Sequence, residues 1–238
     1  MPIDSASPIT ITGYDWVPYF AKGHVRDLRV RWALEEAGQS YRAKLLAQGD
    51  QKAPPHRALQ PFGQVPTYEE GDVTLFESGA IVLHIAERFG GGLLPADPAA
   101  RARAIEWTFA ALNTVEPPIT DYAIATLFEV EEPWSAPRLP AVKARIAERL
   151  EELSNRLGDR DWLDGDFSAG DLLMIAVLRM VASDGLLNPY PNLAAYVARG
   201  EARPAFRRAL ADHMAGFTGD PPPGFAEWEA KMKAAEPA

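Results

Sequence analysis

The β-strand signals in this sequence end well before its middle, and that change restricts the folds the chain can adopt. In the first part, runs rich in isoleucine, threonine and valine alternate with helical patterns. After the glycine- and proline-rich segment GGLLPADPAAR, only helical patterns follow. We therefore predict an α/β domain over residues 1–92, an all-helical domain over residues 98–216, and a proline-rich linker and C-terminal tail over residues 217–238.

The first domain is predicted to have the order β-α-β, an irregular stretch, and then β-β-α. The run ITITGYDW is typical of a strand, and the helix after it carries an apolar stripe from Val30 to Ala37 and ends at Gly38. A second strand pattern begins at Tyr41. The runs VPTYEE and DVTLF then predict a hairpin, and GAIVLHIAERFG predicts a helix that ends in glycines.

The second domain is predicted to be a helical bundle. Asp97 and Pro98 suit the N-cap and first position of a helix. The apolar stripe of that helix consists of Ile105, Phe109 and Leu112, and we expect it to stop at Pro117 and Pro118. A further stripe consists of Val142, Ile146, Leu150, Leu153 and Leu157, and Gly158 closes it.

The clearest local signal in this half is a helix start. Ser168 and Asp171 have the spacing of a capping box, and Phe167 and Leu172 suit its hydrophobic staple. The helix that follows, LLMIAVLRMVA, is apolar nearly all round, so we expect it at the buried centre of the bundle. In the tail, Phe225, Trp228 and Met232 share one helical face, which fits either a lid or a loosely docked terminus.

Composition excludes several classes of function. The net charge of -9 and the pI near 5.0 disfavour nucleic acid and anionic membranes as partners. No apolar run approaches a membrane span and the first residues lack a signal-peptide pattern, so we expect a cytoplasmic protein. With no cysteine, four scattered histidines and no phosphate-binding glycine motif, we expect no metal and no cofactor. Any sulfur chemistry must use a sulfur that a substrate brings.

Three motifs together carry a family resemblance. They are the run Pro61-Phe62-Gly63-Gln64-Val65-Pro66, the pair Glu77-Ser78 that follows it, and the cap from Ser168 to Asp171 before a buried helix. From Ile9 to about Met214, the chain resembles the cytosolic glutathione transferases. The resemblance implies a thioredoxin-like first domain and a helical second domain. It also implies a homodimer in which the first domain of one subunit faces the helical domain of the other.

The resemblance places glutathione on the first domain. It implies a cis Val65-Pro66 bond, with Gln64 and Val65 beside the cysteinyl main chain of the peptide. Ser78 and the helix start at Glu77 form an anion site for the γ-glutamyl carboxylate, while Glu77 accepts from its ammonium. Gln51 and Lys52 match the segment that holds the glycine carboxylate, although Gln51 stands where a histidine is usual. From the residues alone, an ordinary edge-strand proline, a plain serine N-cap and a solvated lysine remain open.

The group that activates the thiol is the weakest match. Serine-type members carry Ser or Thr just ahead of the first helix, where this chain has Gly23-His24-Val25-Arg26-Asp27. Between Gly13 and Leu34 the only hydroxyls belong to Tyr14 and Tyr19. Because Tyr19 begins a run that resembles a shortened Tyr-Phe-x-x-x-Gly, we predict Tyr19 as the activating donor and Tyr14 as the second choice. His24, Arg26 or the positive end of the first helix are the alternatives.

The sequence thus predicts a glutathione transferase that attacks a small hydrophobic electrophile, with reduction of organic peroxides as a further activity. The resemblance implies an apolar wall for that electrophile on the helix that carries Trp107, Phe109, Asn113 and Tyr122. The alternative is a non-catalytic module that uses the same fold for dimerisation or partner docking, because a fold alone does not prove activity.

Overall fold

The computed structural model describes residues 3–225 and divides into two compact units. The first contains residues 1–84 together with residues 205–238, and the second contains residues 85–204. The first is built on a β-sheet with helices and the second is all-helical, so the predicted fold class is confirmed. The final helix, which the sequence pattern placed in the bundle, groups with the first unit. Trp228 and Met232 lie outside the described residues.

The sheet of the first unit has the order β2-β1-β3-β4. Its strands are β1 (Thr10–Tyr14), β2 (Arg42–Leu46), β3 (Thr67–Glu70) and β4 (Val73–Phe76). β1 and β2 are parallel, whereas β3 is antiparallel to both β1 and β4. The predicted hairpin is confirmed, and Gly71, at φ 56°, provides the left-handed residue that its turn requires. The helices of this unit are α1 (Asp27–Glu36), α2 (Pro54–Arg57), α3 (Ser78–Phe89) and α9 (Pro204–Ala215).

Helix α1 is buried on almost every side, which its sequence does not suggest. The predicted apolar residues Val30, Ala33 and Leu34 are fully buried, but the charged residues from Asp27 to Glu35 are buried as well. The reason is α9, which packs on the charged side of α1. Trp32 meets Phe206 edge to face at 4.8 Å between ring centroids. The apolar stripe from Val30 to Ala37 therefore accounts for the burial of only one side of this helix.

Helix α9 supplies polar partners for the charged side of α1. Arg208 Nε lies 2.7 Å from Glu35 Oε2, and His213 Nδ1 lies 3.2 Å from Asp27 Oδ2. Asp27 also accepts from Arg31 Nε at 2.8 Å. Buried charges are tolerated when they are paired in this way. These pairs explain how a helix that appears amphipathic is buried as a whole.

Within residues 85–204, the helical unit contains the end of α3 and five further α-helices. The bounds are α4 (Pro98–Ala110), α5 (Glu116–Ala123), α6 (Ser135–Leu157), α7 (Ala169–Leu178) and α8 (Pro191–Glu201). The predicted α6 stripe is confirmed, since all five of its residues are buried and Gly158 follows at φ 55°. Helix α7 is buried from Ala169 to Ile175, as predicted. Asp171 accepts from the Ser168 N–H at 2.9 Å, which confirms the cap.

The prediction for α4 was wrong in two respects. Phe109 is 55% exposed, whereas the small residues Ala104 and Thr108 are buried. Small residues face inward because α7 approaches closely: a Cβ added to Gly170 would lie 2.5 Å from the Cβ of Trp107. The helical path also continues through the two prolines into α5.

A wider helical turn explains how the path continues. The prolines at 117 and 118 have no N–H to offer the carbonyls of residues 113 and 114. Residues Ala111–Val115 form a π-type turn, in which the Glu116 N–H bonds to the carbonyl of Ala111, five residues back. This shift in pairing lets prolines at the start of α5 follow α4 without a break in direction. A second such turn spans Ile124–Phe128.

Candidate active site

The predicted glutathione residues converge on one edge of the sheet. β1 and β2 are parallel, β3 opposes β1, and Thr67 at the start of β3 pairs with Phe76 at the end of β4. The carboxyl ends of β1, β2 and β4 and the amino end of β3 therefore lie together, and we call this the site edge. The residues that leave or enter the sheet there are Tyr14, Tyr19, Gln51, Lys52, Gln64, Val65, Glu77 and Ser78.

The loop before β3 has the backbone that the motif implied. The Val65-Pro66 bond is cis, and Val65 is buried with its side chain 8% exposed. Just after it, the Thr67 N–H donates to the buried hydroxyl of Thr12 at 2.7 Å, which ties the start of β3 to β1. The main chain around Val65 is thereby fixed to the centre of the sheet.

Gly63 allows two segments of the site edge to meet. It has φ 61°, and a Cβ there would lie 2.7 Å from the Gln51 carbonyl oxygen and 2.9 Å from Lys52 Cδ. Lys52 Nζ donates to the Phe62 carbonyl at 3.2 Å, so the loop and the segment after β2 are in direct contact. Gln51 is used locally, since its Oε1 accepts from the Gly49 N–H at 2.7 Å. Lys52 is exposed, and its ammonium has two further protons to offer.

Two residues beneath this loop were not predicted. His56 Nε2 lies 2.7 Å from the Gln64 carbonyl oxygen, and His56 is only 5% exposed. Gln60, 2% exposed, accepts from the Phe62 N–H at 2.6 Å through Oε1 and offers Nε2 to Gln64 Oε1 at 3.5 Å. The proline-broken sequence around them predicts only an irregular stretch. A polar side chain next to a predicted ligand loop is the signal that would have identified them.

At the start of α3, Glu77 and Ser78 occupy different environments. Glu77 is exposed and has φ 70°, an uncommon conformation for a residue with a side chain, while its carbonyl accepts from the Ile81 N–H at 3.0 Å. Ser78 is 6% exposed. The first N–H groups of a twelve-residue helix have no partner within the helix, so they and the Ser78 hydroxyl form a donor set suited to a carboxylate.

Arg29 contacts Ser78, and sequence patterns did not reveal this contact. Its Nη1 lies 3.4 Å from Ser78 Oγ, and its side chain is buried, with 3% of the residue exposed. The guanidinium places positive charge behind the serine, which favours an anion at this end of α3. Arg29 lies on the charged side of α1, outside the apolar stripe. A buried arginine needs a partner for its charge.

The two tyrosine candidates differ in their surroundings. Tyr14 ends β1, and burial together with the negative charge of Asp27 raises its pKa to about 12. A phenol with a raised pKa is a weaker acid and a weaker donor to a thiolate. Tyr19 lies beyond β1 in a short helical turn with Phe20, whose ring it meets edge to face at 5.6 Å between centroids. The raised pKa counts against Tyr14 as the activating donor.

The positive end of α1 already holds a carboxylate. Asp27 is its first residue, and although burial raises its pKa, His213 and Arg31 lower it further, so the pKa lies below the ordinary value. An ionised Asp27 offsets the partial positive charge of the helix terminus, which leaves less of that charge for a thiolate. Arg26, just before it, is exposed.

Within residues 3–225, no group of three or more histidine, aspartate or glutamate side chains is arranged to hold a metal ion. No helix in that same part of the chain is both long enough and apolar enough to cross a membrane.

Comparison with known protein families decides the identity of this fold. The model of the glutathione S-transferase N-terminal domain matches residues 17–87, and that of the C-terminal domain matches residues 115–204. The chain belongs to the glutathione S-transferase family. Both matches fall on the parts of the chain that form the sheet unit and the helical unit, so the family resemblance found in the motifs is confirmed.

Individual relatives agree with this assignment. Glutathione S-transferase 4 of Zea mays is 34% identical over 194 residues, which cover 74% of this chain and 83% of the maize protein. A glutathione S-transferase of Hyoscyamus muticus is 33% identical over 178 residues, covering 68% of this chain and 81% of the relative.

Solved structures of the glutathione S-transferase family have the same fold. The theta class enzyme of Xanthomonas axonopodis pv. citri, solved with glutathione bound, is 28% identical with a TM-score of 0.68, covering 86% of this chain and 97% of that one. A family member from Pseudomonas fluorescens pf-5, solved with two glutathione bound, has a TM-score of 0.76 at 24% identity, covering 87% of this chain and 94% of that one.

Proposed function

We propose that this chain is a glutathione transferase that binds glutathione at the site edge and joins it, through its sulfur, to a small hydrophobic electrophile. The observation that carries the proposal is the convergence there of a main-chain strand partner at Val65, a cationic side chain at Lys52, and the donor set at the start of α3. These are the groups that a short peptide with two carboxylates requires.

Each end of glutathione has a partner of suitable charge. The γ-glutamyl carboxylate accepts hydrogen bonds from the Ser78 hydroxyl and the first N–H groups of α3, with Arg29 behind them. The γ-glutamyl ammonium pairs with the exposed Glu77 carboxylate. The glycine carboxylate of the peptide binds to Lys52 and Gln51. The cysteinyl main chain pairs with Val65 as a short added strand, and the side chain of Gln64 lies beside it.

The reaction requires the thiolate of glutathione. A free thiol has a pKa of about 8.5, so only a few per cent is ionised near neutral pH. The thiol proton leaves to solvent, and the Tyr19 hydroxyl donates a hydrogen bond to the sulfur anion that remains. The sulfur lone pair forms a bond to the electrophilic carbon, and the leaving group departs with the electron pair of the bond that breaks.

The helical unit, taken by itself, has exposed aromatic rings that suit an apolar substrate. Phe109 on α4 is largely exposed, and Tyr122 on α5 is partly exposed, so both rings are available to an apolar substrate. The same thiolate reduces an organic peroxide to an alcohol when two glutathione molecules supply the electrons and leave as a disulfide. Neither reaction requires a metal or a further cofactor.

The chain is proposed to act as a homodimer in the cytoplasm. Each unit exposes a large aromatic ring, Phe62 at 62% and Phe128 at 62%, which a self-association surface would cover. The acidic net charge fits a protein whose partners are small molecules rather than nucleic acid or anionic lipid.

Two measurements on the same sample test this function. Calorimetry should show glutathione binding, and an aromatic chloride activated by nitro groups should be converted to its glutathione conjugate. Binding without turnover on a broad panel of electrophiles and peroxides would favour the non-catalytic module instead. Neither binding nor turnover would contradict the proposal altogether.

A further inference from the structure

The Val65 main chain is held from both sides by buried side chains. On one side the Thr12 hydroxyl accepts from the Thr67 N–H, and both threonines are fully buried. On the other side His56, on the short helix α2, reaches the carbonyl of Gln64 at 2.7 Å. The two residues between these anchors, Val65 and Pro66, therefore have little freedom to move relative to the sheet.

The tautomer of His56 follows from its contacts. A carbonyl oxygen can only accept, so Nε2 carries the hydrogen and donates to Gln64. Nδ1 is buried and has no partner among the described residues. A proton on Nδ1 would be a buried donor without an acceptor, which is costly. The neutral ring with its hydrogen on Nε2 is the form that fits this environment.

This hydrogen bond orients the group that glutathione would meet. The Gln64–Val65 peptide is trans and planar, so its N–H points opposite to its carbonyl. Because His56 fixes the direction of the Gln64 carbonyl toward the interior, it also fixes the Val65 N–H in the opposite direction, away from the imidazole. A strand-like pairing with the cysteinyl main chain needs that N–H to point outward.

Beneath the loop, Gln60 also accepts from the Phe62 N–H, but the other described side-chain donors to carbonyls of the loop lie at its surface. Lys52 Nζ and Arg57 Nη1 donate at 3.2 Å to the carbonyls of Phe62 and Pro61, and both bonds are exposed. Water can replace an exposed donor at little cost, whereas it cannot readily replace a buried one. Of the three side chains that donate to carbonyls of this loop among the described residues, His56 is the least exposed, so its loss should disturb the loop most.

We propose that His56 is a positioning residue for glutathione binding: its Nε2–H holds the Gln64 carbonyl and thereby presents the Val65 N–H to the peptide. This inference rests on the proposed function, because it assigns His56 a role in the same site without contact to the ligand. The role is distinct from packing, since it depends on one hydrogen atom at one position of the ring.

Two variants of His56 separate the donor from the packing. His56→Gln keeps an amide N–H at a similar reach, whereas His56→Met keeps approximate size and removes the donor. We expect His56→Met to raise the glutathione Kd and KM about tenfold, which corresponds to about 1.4 kcal/mol, while kcat at saturating glutathione stays within about twofold. His56→Gln should recover most of the lost affinity.

The matched control is His84→Met. His84 lies on α3, is partly buried, meets Tyr68 inside β3 edge to face, and has an Nε2 with no hydrogen-bond partner among the described residues. Its variant should change the melting temperature and leave the glutathione Kd unchanged. A folded His56→Met protein with wild-type Kd, or a His56→Gln protein as weak as His56→Met, would overturn the inference.

A measurement on the wild-type protein decides the question if His56→Met does not fold. The ¹⁵N resonances of the His56 ring should show a protonated Nε2 and an unprotonated Nδ1, both before and after glutathione is added. Hydrogen on Nδ1 instead would overturn the inference while leaving the proposed function intact. If wild-type protein binds no glutathione in calorimetry, the proposed function fails and this inference fails with it.

Discussion

At the scale of single residues, the site depends on backbone positions that tolerate few side chains. Gly63 combines a positive φ with a close approach to Gln51, so a methyl group there would be strained and would also clash. Glu77 adopts a positive φ although it has a side chain, and such outliers cluster at functional sites. Both residues lie at the site edge, so local strain and the candidate ligand groups coincide.

Ser78→Ala should weaken glutathione binding by about 1.5–3 kcal/mol, the usual range for a hydrogen bond to a charged group. The loss of fold stability should be smaller, because the first N–H groups of α3 can bond to water instead. Calorimetry on the wild type and the variant measures the affinity, and thermal unfolding measures the stability. A folded variant with an unchanged Kd would remove Ser78 from the ligand set.

Tyr19→Phe should raise the pKa of the bound thiol by about one unit or more, following roughly 1.4 kcal/mol per unit, because it removes one donor to the thiolate. The pH dependence of kcat reports ionisations in the complex, so the alkaline shift should be seen there, with little change in glutathione affinity. Tyr14→Phe is the control, since burial and the negative charge of Asp27 raise the pKa of Tyr14 and weaken it as a donor. A shift seen only in Tyr14→Phe would reverse this ranking.

At the scale of elements, α1 and α9 form one structural unit although the whole helical unit separates them in sequence. Their contact combines the Trp32–Phe206 ring pair with polar pairs, Arg208 with Glu35 and His213 with Asp27. The chain after α9 continues on the same unit, since the Gly219 N–H donates to the Asp15 carbonyl at 2.8 Å and Phe225 meets Trp16 edge to face. The loop that carries Tyr19 is therefore contacted by residues near the end of the described chain.

Asp27→Asn should destabilise the protein near neutral pH by about 3–5 kcal/mol, the range for breaking a buried ion pair. The folded-state pKa of Asp27 is below its ordinary value of 3.8, so its ionic contribution is present above about pH 3.8 and is lost as the pH falls through the folded-state pKa. Denaturant unfolding at several pH values should show the gap between wild type and variant narrowing in acid.

The control for that experiment is Asp72→Asn, because Asp72 is exposed in the β3–β4 turn. Its stability difference from wild type should be close to zero at every pH. If the gap between wild type and Asp27→Asn stays constant from neutral to strongly acidic pH, the His213 and Arg31 partners do not act on the charged form of Asp27.

Sequence patterns identified the elements that are specified by residues close together in the chain. The α6 stripe, the Asp171 cap and the β3–β4 hairpin depend on residues close together in the chain, so their signals are complete within a short window. His56 and Gln60 bond to the neighbouring loop before β3, and apolar periodicity does not register such polar contacts. The burial of Arg29 depends on a partner from another segment, Ser78. The same holds for α4, where the close approach of α7 selects small residues over Phe109 for the interior. Periodicity alone does not reveal which face a distant element will cover.

At the scale of the whole molecule, self-association is the property that the exposed aromatic rings support. Light scattering at micromolar concentration should give twice the chain mass of 26.1 kDa. Phe62→Ser removes the most exposed of these rings in the sheet unit and should shift the equilibrium toward monomer. A wild-type protein that remains monomeric at that concentration would contradict the dimer.

The central claim is that the site edge binds glutathione and stabilises its thiolate. The most direct test is the ultraviolet absorbance of the thiolate in the wild-type complex as the pH is raised, with free glutathione titrated in parallel. We predict that the bound thiol ionises about two units below the free value of about 8.5, which corresponds to roughly 2.7 kcal/mol of preferential stabilisation. A bound thiol that titrates together with free glutathione would contradict this account.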